Sequence, residues 1–482
     1  MSASTNWRLG PYRIGNAAGQ RVRGSERVRL QAERALALVE RAGARLGPEV
    51  EPELWHALGR LCGATGEPGR ARALLTRLSA EAEARGLPAL RARALLALAE
   101  PSYAASPAER EALVRAALAS AERAGDARFE AYVRSSLAMA SYCARGFRAE
   151  WAEACEEALG RFDAFAPDPS LAAVACNAAY FRWLRADYGG AFEAAAIGER
   201  SARFAGSADA LLACLLLRAH ALRSAGRWRE ALATAREATA LAERNGDEVW
   251  ANWFSVQRAH LVDLAGDHGA AAAACERGAA RARAFEHPTS ELLATLVLAS
   301  ARLGEGDLEG AELLLASARG RDAAGAFDHC LRMQLRDALA RLALARGDDD
   351  AAALAAGRLR ELADPPGERT WLALADETAA RALAAAGRPA EARRRAARAL
   401  EYVEGGAFPL AAWRVHAACA RLAEARGREL EARRHWRASA ATLSELGTEL
   451  DDEPALQAAF FRAPLVRRAL EAAGGTTLRV CG

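Results

Sequence analysis

Gly226-Arg-Trp-Arg-Glu-Ala231 returns along the chain as Gly266…Ala271, Gly306…Ala311, Gly347…Ala352, Gly387…Ala392 and Gly427…Ala432, so one position recurs every 40 residues with a single step of 41. Counting backwards by 40 reaches Ala186, Gly146, Ser106 and Gly66. Ten units therefore fill residues 50–450. A globular enzyme domain has no reason to keep that register. A solenoid must, because each unit buries its apolar face only against copies of itself.

A second set of breaks lies half a period away, at Gly86-Leu-Pro88, Gly125, Pro167, Gly206, Gly246, Pro288, Gly325, Pro365, Gly405 and Gly447. Each unit thus divides into two antiparallel helices, A before the period position and B after it. Seven residues before that position the chain reads Gly59, Ala99, Met139, Ala179, Ala219, Ala259, Ala299, Ala340, Ala380 and Ala420. Five residues after it, Ala stands in all units but two, where Glu111 and Trp151 replace it. Two small-residue columns of this kind mark where helices press too closely for larger side chains.

Composition agrees with helix. Apolar residues make up 52% of the chain and aromatics only 6%. Most of the apolar share is Ala and Leu, both strong helix formers. The 65 basic residues are all Arg and meet 62 acidic ones, for a formal charge of +3. Interspersed charge of that kind is a solvated helix surface and not a nucleic-acid footprint. The absence of Lys excludes a phosphate-binding loop, a protein-kinase site or Schiff-base chemistry in their usual forms. The nine Cys never approach zinc-site spacing and sit among Ala and Leu as small hydrophobes. With no signal-like or membrane-spanning run, this reads as a cytoplasmic protein.

Arg218 to Ala231, with small residues at Ala219 and Ala231 and a turn at Gly226, resembles the second half of helix A, the turn and the start of helix B in the tetratricopeptide repeat. The resemblance implies an all-α, right-handed superhelical α-solenoid of antiparallel helix pairs. The units are longer than the family's usual length of about 34 residues, and the Pro that closes helix B is mostly missing. Long units of this type resemble the C-terminal arrays of large bacterial ATP-dependent transcriptional regulators and ATPase-linked cyclases. The ending from Trp436 to Leu443 and from Leu450 to Pro464 looks like theirs. The expected boundaries are a leader over 1–24, a lead-in helix over 25–49, about ten hairpins over 50–450, a terminal capping helix over 451–472 and a tail over 473–482.

In the tetratricopeptide family the concave groove is lined by helix A, which implies a protein or peptide partner held there. The column six residues before the period position reads Tyr180, His220, His260, Ser300, Arg341, Arg381 and Arg421 over its last seven units. Arg341, Arg381 and Arg421 form a ladder able to pair with an acidic or phosphorylated partner. Asp337 and Glu377, four residues before the first two, allow the plainer reading of i,i+4 ion pairs. Tyr180, Trp183, His220, Trp253 and His260 form a second candidate surface in the central units. No nucleophile or third metal ligand stands in register with the two imidazoles, so no catalytic residue, metal or cofactor is expected. Trp228, Trp371 and Trp413 read as core or seam. The functional expectation is a non-enzymatic scaffold or sensor. The alternative is a ligand-responsive regulatory module of a split transcriptional activator or signalling ATPase.

Overall fold

The structure, a computed structural model, describes residues 68–100, 106–163, 168–284, 287–323, 329–406 and 408–474. The leader, the lead-in helix, helix A of the first unit and most of the tail lie outside the described residues. Among the described residues there are 21 α-helices and no strand.

The helices alternate B and A along the array. They are α1 (Pro68–Ala84), α2 (Pro88–Leu98), α3 (Pro107–Ala124), α4 (Ala127–Arg145), α5 (Ala149–Gly160), α6 (Pro169–Leu184), α7 (Tyr188–Phe204), α8 (Ala208–Ser224), α9 (Trp228–Arg244), α10 (Glu248–Leu264) and α11 (His268–Ala284). The series continues with α12 (Pro288–Glu305), α13 (Leu308–Ala323), α14 (His329–Arg346), α15 (Asp349–Ala363), α16 (Arg369–Ala385), α17 (Pro389–Val403), α18 (Pro409–Glu424) and α19 (Glu429–Thr448). Even-numbered helices up to α18 are the A helices. Each packs on its sequence neighbours, and successive A helices also touch, as α6 does α8 and α16 does α18. The result is a tetratricopeptide-like solenoid.

Local chemistry sets the boundaries. Asp126, Asp187, Ser207, Asp247 and Asp348 accept from backbone N–H groups at the starts of α4, α7, α8, α10 and α15. These groups have no partner within the helix. The first column is buried throughout the described units, from Ala99 to Ala420, and the second from Ala71 to Ala432 except at Trp151, which is half-buried. Where Glu111 interrupts the second column, Arg115, Arg145 and the Ser141 hydroxyl all donate to its carboxylate. The period position takes the left-handed conformation at Gly226 (φ 78°), and Ala186 adopts it too (φ 60°).

The segment expected as one terminal helix is two, α20 (Pro454–Arg462) and α21 (Pro464–Ala472). Pro464 supplies the reason: its ring pushes the preceding residue out of helical geometry, and Ala463 has ψ 130°.

The array closes on itself. The Tyr188 hydroxyl at the start of α7 meets Glu368 Oε1 and Thr370 Oγ1, both at 2.5 Å, at the start of α16. Its ring stands edge-on to Phe408, 5.9 Å between centroids. These partners are 180 residues apart, so at 40 per unit the coil returns on itself after 180/40, or about 4.5, units. Further along, Trp228 packs edge-on against Phe460 at 5.7 Å. Arg229 donates to the Thr448 carbonyl, and Arg236 pairs with Glu453. One continuous apolar cluster joins α9 and α10 to α18, α19, α20 and α21.

Candidate functional site

Because the coil returns so soon, its inner face is a partly enclosed cavity of about 430 Å³ and not an open groove. Helices α6, α8, α10, α12, α14, α16 and α18 all contribute to its wall, while Phe460, Ala463, Pro464, Leu465 and Val466 of the two terminal helices close one side. The wall is mainly apolar and aromatic, with Trp183, Trp228, Trp371 and Trp413 among its residues. The polar groups on it are largely charged: Arg223, Arg341, Arg381 and Arg414 against Asp263, Asp337 and Glu368.

The basic column separates by position. Arg341 and Arg381 line the cavity. Arg421 is not among the lining residues, and its Nε donates to the Ala417 carbonyl on its own helix at 3.2 Å. Arg341 donates to Ser300 Oγ at 2.9 Å and stands 3.9 Å from Asp337 Oδ2. Arg381 is 3.4 Å from Glu377. Both i,i+4 pairs that the sequence allows are therefore present, one at the distance limit of an ion pair. Glu377 is buried, which pushes its carboxyl up, but the charges of Arg414, Arg381 and Arg421 hold it below the ordinary carboxylate value. Arg414 lies 3.0 Å from Glu377 and 3.8 Å from Asp337, whose Oδ1 has no hydrogen bond.

The aromatic candidates also divide. Tyr180 is buried, its hydroxyl 2.7 Å from that of Tyr142. Trp253 is buried away from the cavity, and its indole N–H makes no hydrogen bond. Trp183 lines the cavity and donates to Ser224 Oγ at 3.1 Å. Behind it lies His220, buried, 5.0 Å from the Trp183 ring, with neither ring nitrogen hydrogen-bonded. Burial, and then the charge of Arg223, hold its pKa well below the ordinary histidine value. His260 reaches the cavity wall, and its pKa is likewise well below ordinary through burial and the charges of Arg223, His220 and Arg341. At neutral pH both rings are neutral. Among the described residues no three His, Cys, Asp or Glu side chains cluster as metal ligands.

No protein-family profile matches the chain, and no curated protein matches it. Solved structures do align. A Rap protein complexed with competence and sporulation factor shares 12% identity, with 81% of this chain and 99% of that chain covered and a TM-score of 0.49. The APC/C hetero-tetramer Cut9–Hcn1 shares 14%, covering 96% of this chain and 99% of that one at 0.37. Yeast Tom70 shares 13%, covering 93% and 99% at 0.34. Likenesses at this level carry no argument about what this chain binds.

Sequence reading missed several wall residues. Arg223 falls three residues before the period position, in a groove column whose only charged members from unit four to unit eight are Arg223 and Asp263. Reading that column would have found it. Trp371 and Trp413, expected as seam, are half-buried and face the cavity. Glu368 and Phe460 reach it only through the return of the coil, which no single unit encodes.

Proposed function

We propose that this chain is a non-enzymatic helical-repeat sensor or scaffold that holds a compact acidic ligand, a short peptide stretch bearing carboxylates or phosphates, in its central cavity. One observation carries the reading: Arg341 and Arg381, from successive units, face an aromatic-walled chamber of about 430 Å³, within the usual size range of ligand pockets. Aromatic walls supply apolar contact area, and the guanidiniums supply charge-assisted hydrogen bonds that select anions. A chamber of this size favours a few residues over a long helix or a folded partner.

The four wall tryptophans provide the test. Titration with tetraglutamate should change their emission saturably, and tetraglutamine should not. Equal responses, or none, would count against the reading.

A second reading rests on a different observation. Helices α20 and α21 form part of the wall, so an occupant of the cavity touches them as well as the A helices. This supports a ligand-responsive regulatory module of a split transcriptional activator or signalling ATPase. Slower amide hydrogen exchange in α20 and α21 on ligand addition would favour it; exchange unchanged there while the ligand is bound would oppose it.

A further inference from the structure

Four consecutive A helices, α8, α10, α12 and α14, bring Arg223, His260, Ser300 and Arg341 to the same cavity, with Asp263 on α10 and Asp337 on α14 also on its wall. Arg223 is the unusual member. Its side chain is 7% exposed, and its hydrogen bond is to the neutral Gln257 carbonyl at 2.5 Å. Among the described residues no carboxylate pairs with it.

Two partly buried guanidiniums among the described residues are, by contrast, matched by carboxylates. Arg414 has Glu377 at 3.0 Å, and Arg360 has Asp376 at 2.8 Å. A guanidinium carries five donors and stays charged in a protein interior, so burying it without a counter-charge is costly. Burial pushes Arg223 down to about 10, still far above neutrality. The positive charge is therefore present at neutral pH, facing a cavity, with most of its donors unused.

Its surroundings reinforce this. His260 Nδ1 has no hydrogen bond, and the ring lies within the fields of both Arg223 and Arg341. Arg341 has spent one bond on Ser300 and keeps a long 3.9 Å contact to Asp337. Of the acidic wall residues, Asp263 meets His268 at 2.7 Å and Glu368 meets Tyr188 and the Trp371 N–H, while Asp337 stands 3.9 Å from Arg341 and 3.8 Å from Arg414.

We infer that Arg223, His260, Ser300 and Arg341 form an anion subsite that takes a phosphate or carboxylate group of the cavity's occupant. The inference rests on the proposed function and specifies where the charge of the ligand goes. Arg223 supplies the uncompensated charge, Arg341 adds a second guanidinium, and the Ser300 hydroxyl and the His260 ring offer further hydrogen bonds.

The experiment uses the full chain and three probes: inorganic phosphate, acetate, and the neutral dye Nile red as a reporter of the apolar cavity. Calorimetric titration should show saturable binding of phosphate, of acetate, or of both, and the stronger of the two identifies the preferred anion. Arg223→Gln should weaken it at least about 10-fold, the loss expected for one charge-assisted hydrogen bond, while Nile red affinity stays within about twofold. Because the guanidinium is unpaired in the free protein, the same variant should melt no lower than the parent. Arg341→Gln, at a more exposed position, provides an independent variant with the same expected loss. If Nile red binds but neither anion does, or if anion affinity is unchanged in both variants, the subsite is overturned and the cavity reading stands. If Nile red also fails to bind, both are overturned.

Discussion

The hydroxyl of Tyr188 donates to Glu368 Oε1 at 2.5 Å across 180 residues of chain, tying the fourth unit to the ninth. Both side chains are buried, and Glu368 also accepts from the Trp371 N–H at 2.6 Å as the cap of α16. One contact therefore holds a helix start and the closure of the coil together.

The closure should depend on pH. Burial pushes the Glu368 carboxyl up to about 7, with hydrogen bonds from Tyr188 and the Trp371 N–H pulling the other way. A carboxyl with a raised folded-state pKa binds its proton more tightly folded than unfolded. Its contribution is thus fully present below about pH 4.5 and is lost as pH rises through about 7. The span corresponds to about 3 kcal/mol. Thermal melts of the parent and of Glu368→Gln from pH 5 to 8 should show this contribution as a difference in slope, the variant being flatter. Parallel curves would show that Glu368 does not titrate in this window.

Gly226 is needed twice, once for its left-handed backbone and once for space. A methyl group there would stand 2.6 Å from Pro409 Cγ and 3.0 Å from Leu446 Cδ2 on the returning coil, whereas at Gly306, also left-handed, it would meet nothing within 4 Å. Gly226→Ala and Gly306→Ala should share a backbone cost of about 1 kcal/mol. Gly226→Ala alone should add overpacking of about 1–3 kcal/mol and expand the particle in small-angle scattering. Equal melting temperatures and equal radii would refute the close approach of the two turns.

Ala186 marks the opposite situation. It holds the period position in a left-handed conformation, φ 60°, that other units assign to Gly. Ala186→Gly removes the Cβ strain at the expense of unfolded-chain entropy, and a net gain of about 0.5–1 kcal/mol is expected. Chemical denaturation of the two chains measures it. A destabilised variant would mean that the strain is absent.

Much of the fold was legible in single positions. The period position and the buried column from Ala99 to Ala420 are local consequences of turn geometry and packing, and they recur from unit to unit. The pitch of the superhelix was not legible. It is the sum of small rotations between units, so the contacts of Tyr188 with Glu368 and of Trp228 with Phe460 leave no periodic trace. That is why an open groove was the natural expectation and a chamber is what the chain builds. The site was legible to the same extent. Arg341, Arg381 and His260 could be placed on the inner face because helix A faces inward at a fixed phase, and they line the cavity, while Trp371 and the wall from α20 and α21 belong to the closure.

Selection of an acidic occupant by the arginines on the chamber wall can be read from tetraglutamate affinity in two variants. Arg341 and Arg381 face the cavity and Arg421 does not, so the double replacement Arg341→Ala/Arg381→Ala should weaken binding more than about 10-fold, and Arg421→Ala less than about twofold. Glu377 keeps Arg414 at 3.0 Å in the double variant, so the fold should persist. Raising salt from about 50 to 500 mM should weaken the parent and barely affect the double variant. Equal affinity in the parent and both variants, unchanged by salt, would contradict the account.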